Sequence, residues 1–208
     1  MILTGLAPDP RRPDYRLVDV DRGRFASLRA TDLADLELRI GAEIPAGILE
    51  RLQELADLEA AHRAALRALA RRAHARFDLR RRLLQKQHPP AAADGALDRL
   101  SAAGLLNDAR FAEDYARAKA QRGRGPARLV RDLQAQGVDR RIAEDAVRSS
   151  LAAEGVDPAR AVRALAEQRA KQLAGLPAVV KKRRLVAFLM RRGFGGVEVR
   201  AVVERLGS

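Results

Sequence analysis

Leu129-Val130-Arg131-Asp132-Leu133-Gln134-Ala135-Gln136-Gly137-Val138 is the stretch that decides the fold, because the chain repeats its skeleton on either side. Upstream stand Leu79, Leu83, Gln87 and His88, and downstream stand Leu185, Leu189, Gly193 and Phe194. In each copy two leucines one helical turn apart precede a helix-ending position and a bulkier residue. An i, i+4 pair covers one face of a helix. A second apolar pair follows at a constant offset: Ala96–Leu97, Ala146–Val147 and Val202–Val203. A packing unit recurring with a period of about 50 residues points to a solenoid-like array whose units bury small cores and share interfaces. The fold class expected is mostly α: three tandem three-helix repeats in an elongated, curved array.

Working outward, each repeat reads as three helices. The first comprises Leu66–Ala75, Asp78–Gln87 and Ala92–Ala103, with Pro89 and Pro90 enforcing a break. The second comprises Ala109–Arg122, Pro126–Gln136 and Arg140–Ala153. The third comprises Pro158–Ala174, Pro177–Arg192 and Glu198–Leu206, with a longer first helix or loop because Val162 lies further from Leu185 than Phe111 from Leu129. Gly137 and Gly193 sit where a left-handed C-terminal cap is wanted.

The beginning of the chain differs in kind. Leu3–Leu6 is apolar, Pro8–Pro13 reads as a loop, Tyr15–Val20 alternates like a strand, and Phe25–Leu28 can return beside it after a glycine-containing turn at Asp21–Arg24. This predicts a small β-hairpin or three-stranded sheet, which needs a helix to pack on. Thr31 is placed to cap a short helix through Leu38, ended by Gly41. Pro45 then starts another that carries Ile48, Leu49, Leu52, Leu55 and Leu58, and Leu66 and Leu69 keep its phase into the first repeat. The organisation expected is a head and linking helix over 1–60, then repeats over 61–106, 107–156 and 157–208.

Composition narrows the function. The chain has no cysteine, which removes disulfides, thiol nucleophiles and thiolate metal sites. His62, His74 and His88 are too widely spaced for a metal pair, and Gly123-Arg124-Gly125-Pro126 lacks the phosphate-loop pattern. The glycine loop reads most simply as a flexible interhelical turn, or else as an anion-binding loop flanked by Arg122, Arg124 and Arg128. No active site, metal or cofactor is expected. No apolar run is long enough to span a bilayer, and a cytoplasmic monomer is expected.

Charge carries the functional signal. Residues 1–60 hold 8 Lys+Arg against 12 Asp+Glu, whereas the rest hold 32 against 15. A basic array behind a mildly acidic head points to a polyanion or an acidic protein surface. Aromatics are only 3 % of the chain, too few for a base-stacking platform, so contacts with single- or double-stranded DNA should be weak, directed at phosphates and indifferent to sequence. Three clusters recur at related positions. Arg71, Arg72, Arg76, Arg80, Arg81 and Arg82 lie in the first repeat. Arg117, Lys119, Arg122, Arg124, Arg128 and Arg131 lie in the second. Lys181, Lys182, Arg183, Arg184, Arg191 and Arg192 mark the middle helix of the third. Together they suggest a continuous basic track, and guanidinium suits phosphate and carboxylate equally.

Gly104-Leu105-Leu106-Asn107-Asp108-Ala109-Arg110-Phe111-Ala112-Glu113-Asp114-Tyr115 resembles the central signature of the RecX regulatory proteins, a GLLDDxRFA stretch. That family follows it with RGxGPxRL, a leucine and KG(I/V). Here these read Arg122-Gly123-Arg124-Gly125-Pro126-Ala127-Arg128-Leu129, Leu133 and Gln136-Gly137-Val138. Asn107, Gln136 and Gln87–His88 depart from the pattern. The resemblance implies a partner in RecA, the recombinase that polymerises on single-stranded DNA. It also implies a seat in the groove of that nucleoprotein filament, and suppression of strand exchange, ATP hydrolysis and coprotease activity. A helical regulator acting directly on duplex DNA and a scaffold for some other acidic protein are the alternative readings.

Overall fold

The computed structural model describes residues 1–153 and 158–206. The chain forms two compact units, one from Met1–His74 and Asp78–Leu106, the other from Ala75–Phe77 and the residues from Asn107 on. The expected junction between the second and third repeats, at residues 156 and 157, lies outside the described residues.

The first unit opens with an antiparallel sheet of β1 (Leu3–Asp9), β2 (Arg12–Val20) and β3 (Gly23–Arg29), in that order. The Pro8–Pro13 stretch is therefore not a loop. The strands run almost to its centre, and a register shift between Pro8 and Asp9 tightens the turn at Pro10–Arg11. Proline is tolerated at such an irregularity because no ladder hydrogen bond is asked of it. The β2–β3 turn also differs from expectation. Its left-handed residues are Asp21 (φ 47°) and Arg22 (φ 61°), while Gly23 already belongs to β3. Two consecutive positive φ values match the twist of a two-residue hairpin. The Ile2 N–H donates to Asp21 Oδ1 at 2.7 Å and the Arg22 N–H to Thr4 Oγ1 at 3.0 Å, which holds the turn without glycine.

Thr31 does not cap a helix through Leu38. The helix α1 spans only Ala30–Leu33, with Arg29 at its N-cap and no side-chain cap. Gly41 (φ 85°) is not a helix terminus; its N–H donates to the Leu3 carbonyl at 2.8 Å, so the segment after α1 folds back to close the sheet edge. Pro45 then caps α2 (Ala46–Leu69), which runs unbroken from the head into the first repeat. Its first half packs Leu52 and Leu55 against Leu3, Val18 and Leu28 of the sheet. Its second half packs Ala64 and Ala65 against Leu79, Leu83, Leu97 and Leu100 of α3 (Arg76–Gln85) and α4 (Pro90–Ala102). The helix stops at Leu69, short of the expected Ala75, and the chain then turns inward to bury His74 and Ala75.

A buried carboxylate fastens head to repeat. Glu59 is 1 % exposed and accepts from Arg99 Nη1 at 2.7 Å, with Arg29 Nε and Arg12 Nη1 each 3.8 Å away. Arg99 also reaches Asp32 Oδ2 at 2.7 Å. Five elements thus meet at one charge network, which would be costly to leave half-made.

The second unit holds α5 (Asp108–Ala120), α6 (Pro126–Ala135) and α7 (Arg140–Ala153), then α8 (Pro158–Gln172), α9 (Ala178–Arg192) and α10 (Gly196–Leu206). The six repeat leucines are all at most 2 % exposed, and both partners of each second apolar pair are buried. Phe111, Leu129, Leu133, Val138, Ala146 and Val147 form one core; Val162, Leu185, Leu189, Phe194, Val202 and Val203 form the other. Gly137 (φ 81°) and Gly193 (φ 88°) follow α6 and α9 in the left-handed conformation. At the matching place after α3, Gln87 adopts φ 63° without being glycine.

Leu133→Ala should cost about 2–5 kcal/mol, since the side chain is fully buried and its neighbours sit on three different helices. Urea unfolding checks it; a midpoint equal to wild type would remove Leu133 from the core.

Candidate anion-binding cleft

The cleft is built where the N-terminus of α6 meets the C-terminus of α9. Every helix leaves its first N–H groups and last carbonyls without intrahelical partners. Here the two deficits cancel: the Gly125 N–H donates to the Arg192 carbonyl at 2.7 Å, and the Ala127 N–H to the Gly193 carbonyl at 3.2 Å. Pro126, between them, has no N–H to leave unmade. The positive end of one helix thus faces the negative end of the other. The approach requires glycine on both sides. A Cβ on Gly125 would lie 2.6 Å from the backbone of Gly193, and one on Gly193 would overlap Arg128.

This docking gathers Lys119, Arg122, Arg124, Arg128, Arg191 and Arg192 around an open cleft of about 390 Å³, with no carboxylate among its lining residues. Arg192 is fixed by donating to the carbonyls of Arg122 (3.2 Å) and Gly123 (3.4 Å), with its guanidinium 5.2 Å from the Phe188 ring centre. Arg124 pairs with Asp132 and donates to the Tyr115 hydroxyl at 3.2 Å. Arg128 reaches the same Asp132 at 2.9 Å. Burial, and then the neighbouring Asp132, raises the Tyr115 pKa above its ordinary value, so the phenol keeps its proton. Lys119 lies over the Tyr115 ring at 5.7 Å. Arg122 and Arg191 are exposed and, among the described residues, have no carboxylate partner. The arrangement can take up anionic oxygens with cations held by Asp132 and with cations that have no such partner.

The other basic residues singled out from the sequence lie elsewhere. Arg117 pairs with Asp114, and Arg131 donates to the Ala127 carbonyl. Lys181, Lys182, Arg183 and Arg184 occupy the first turns of α9, roughly 10–15 Å along its axis from Arg191. Lys182 is tied to Glu204 at 2.7 Å. In the first repeat Arg80 makes a bidentate pair with Asp94, at 2.6 and 2.9 Å. The Arg76 N–H donates to Asp108 Oδ1. Arg81, Arg82 and Arg72 converge on Asp78 at 2.7, 3.0 and 3.5 Å. Arg71 stands exposed beside them. Two residues that the sequence pattern did not mark as functional organise these groups: Asp132 in the second repeat and Asp78 in the first. The signal for both was an acid four residues from an arginine on one helix.

His74 and Asp78 form a buried pair, Nδ1 to Oδ2 at 2.8 Å. Burial, opposed by that bond, holds His74 below its ordinary pKa. The ring is therefore neutral near pH 7, with Nδ1–H as the donor. For Asp78, burial pushes upward but is outweighed by hydrogen bonds from His74, Arg82 and Arg81, which bring it down to about 2.

Models of the RecX family match three stretches of this chain. They are RecX, first three-helix domain, over residues 61–100; RecX, second three-helix domain, over 107–147; and RecX, third three-helix domain, over 157–203. Regulatory protein RecX of Halorhodospira halophila is 39 % identical over 144 residues, which cover 69 % of this chain and 86 % of that one. The chain belongs to the RecX family. The Pseudomonas savastanoi member is 42 % identical over 89 residues, covering 43 % of this chain and 57 % of its own. A crystal structure of regulatory protein RecX shares the fold with a TM-score of 0.77 at 16 % identity, over 98 % of both chains. That of RecX from Lactobacillus salivarius gives 0.63 at 22 %, over 72 % of this chain and 96 % of the other. In this RecX-family chain the departures from the signature are structurally conservative. Asn107 caps α5 by accepting from the Arg110 N–H at 3.0 Å, as an aspartate could. Gln136 donates to the Asp132 carbonyl.

Because the folded pKa of Asp78 lies below its unfolded value, its contribution to stability is present above about pH 4 and lost as pH falls through about 2. Its arginine partners are half-exposed, so a gap of about 1–2 kcal/mol is expected between wild type and Asp78→Asn near pH 6. Urea titrations at descending pH should show that gap closing toward pH 2; a pH-independent gap would mean Asp78 acts through packing alone.

Proposed function

We propose that this chain regulates RecA, binding the RecA–single-stranded DNA filament in its groove and inhibiting strand exchange, ATP hydrolysis and coprotease activity. Membership of the RecX family supports RecA as the partner. The observation that carries the mode of action is the cleft of six cations. Fixed guanidiniums beside unpaired ones suit a phosphodiester backbone, which offers a row of anionic oxygens and no feature to be read. The protein acts by occupancy, without chemistry of its own. No helix among the described residues is long and apolar enough to cross a membrane, which leaves α2, the longest, to its structural task.

Binding to single- or double-stranded DNA alone should be weak and fall steeply with salt, because released counterions supply the free energy. Replacing Arg122 and Arg191 together by Ala should make the slope of log affinity against log salt shallower by about 1–2, equally for all sequences. Arg117→Ala, outside the cleft, should leave it unchanged. Fluorescence anisotropy across a salt series measures all three; a preference for one duplex sequence persisting at high salt would favour a transcription regulator.

On the filament, RecA ATPase and strand exchange titrated with the whole protein should both fall. The Arg122→Glu, Arg191→Glu double variant should need about tenfold more protein for the same effect. A charge-reversed Lys181–Arg184 variant tests whether the opposite end of α9 contributes as well. No change in either RecA activity with the wild-type protein would end this reading.

A further inference from the structure

The first unit contains a second concavity, of different character, between the C-terminal turns of α2 and α3. Its volume is about 410 Å³. Its floor is aliphatic, made by Ala64 and Ala68 of α2 and by Leu79 and Leu83 of α3. Around the floor stand Arg67, Arg71, Arg72, Arg82 and Lys86, and no carboxylate lines it. Two of these cations are held from outside the pocket: Asp78, itself buried, takes Arg82 Nε at 3.0 Å and Arg72 Nη2 at 3.5 Å. Asp78 is in turn fixed by the buried His74 ring at 2.8 Å. Arg67, Arg71 and Lys86 are exposed, and none has a carboxylate partner among the described residues.

Such a site asks for a ligand that carries negative charge around an apolar centre. A nucleobase fits poorly, since the one aromatic ring in the lining, the His74 imidazole, is buried and engaged with Asp78 and so offers little face to stack on, and Gln85 is the one side-chain amide there. Phosphate alone would use the cations and leave the floor in water, as it would in the second unit's cleft, where no aliphatic residue lines the wall. A peptide satisfies both parts. An aliphatic or aromatic side chain covers Ala68, Leu79 and Leu83, and flanking carboxylates meet Arg71 and Lys86 as well as the pre-positioned Arg72 and Arg82.

We propose that this pocket is a docking site for an acidic protein segment with an apolar anchor residue, distinct in chemistry from the phosphate-directed cleft. Arg71, Arg72 and Arg82 of the first repeat thereby serve protein recognition. The proposal does not depend on the RecA reading: the peptide site can fail while filament inhibition holds, and the reverse.

The test is selection of displayed random peptides, about a dozen residues long, on the full chain near physiological salt. Enriched peptides are then labelled and measured by anisotropy. Enriched sequences should carry Leu, Ile or Phe flanked by Asp and Glu. Arg71→Glu and Lys86→Glu, both at exposed positions and checked for unchanged melting, should each weaken binding about tenfold or more. Ala68→Leu, which fills the floor, should weaken it similarly, as should Ala at the peptide's apolar position. Excess oligothymidylate should leave the peptide bound. Selection without enrichment, enriched peptides lacking an apolar residue, insensitivity to both charge reversals, or displacement by oligothymidylate would each overturn the proposal.

Discussion

The contact between Gly125 and Gly193 is the constraint on which the second unit depends. Two helices from successive repeats abut end to end, and the orphan carbonyls of α9 are taken up by the orphan N–H groups of α6. Without that exchange both ends would need water or side chains, and water cannot enter where backbones nearly touch. Glycine is required twice for different reasons. Gly193 must adopt a positive φ and avoid Arg128, whereas Gly125 simply lacks room for a Cβ. A second left-handed glycine of this unit is closely packed as well, without that backbone exchange. Gly137, left-handed after α6, is overlaid by Phe77, and Ala75 is buried in the core that Leu129 and Leu133 build. Ala75 and Gly125 occupy one register position, four residues before the first leucine of a pair. At Gly125 the cap glycine of α9 comes to rest; at Ala75 the small side chain is buried in the core instead.

Ion pairing follows the same register, with its polarity inverted. Asp78 and Arg82 in the first repeat correspond to Arg128 and Asp132 in the second, each an i, i+4 pair closed at 3.0 and 2.9 Å. With the acid first, it sits in the opening turn of α3, where the helix dipole favours it, and gathers arginines from both sides. With the arginine first, Arg128 stands at the opening of α6 against the C-terminal end of α9, and the acid retreats behind it. The third repeat has Arg184 and Phe188 at these positions. Phe188 carries the Arg192 guanidinium on its face instead of pairing with it. In both of the first two repeats the acid of this pair holds two arginines that also line a concavity, so the pair fixes cations in place without removing them from the surface.

The repeat cores were legible because their signal is local. Leu129 and Leu133 lie one turn apart, and nothing outside the helix changes which face they share. The strands were partly legible: Tyr15–Val20 alternates, but Pro8 and Pro13 concealed strand ends that a bulge accommodates. Gly23 drew the turn toward itself when Asp21 and Arg22 made it. Thr31 has cap chemistry, yet α1 starts beside Arg29, since the chain must return at once to let Gly41 bond Leu3. The cleft was not legible as such. Arg122 and Arg192 are 70 residues apart, and only the Gly–Gly docking, invisible to any helical period, joins them. A basic cluster in sequence therefore resolved into members held by acids, members fixed by carbonyls, and a few left open to an anion.

What an arginine does here is decided by what lies beneath it. In the second unit the cations stand over backbone and over one another, so an anion gains electrostatic contact and hydrogen bonds but buries little apolar surface. Affinity of that kind is diffuse, additive and quickly screened. In the first unit guanidiniums of the same type stand around Ala68, Leu79 and Leu83. A ligand that covers this floor gains about 25 cal/mol for each Å² of apolar surface it shields, a contribution that salt does not screen. The two surfaces should thus separate under ionic strength: phosphate contacts fade first, and a contact anchored on the aliphatic floor outlasts them. The two concavities lie on different units, so each proposed contact can be removed by substitution without touching the residues that line the other.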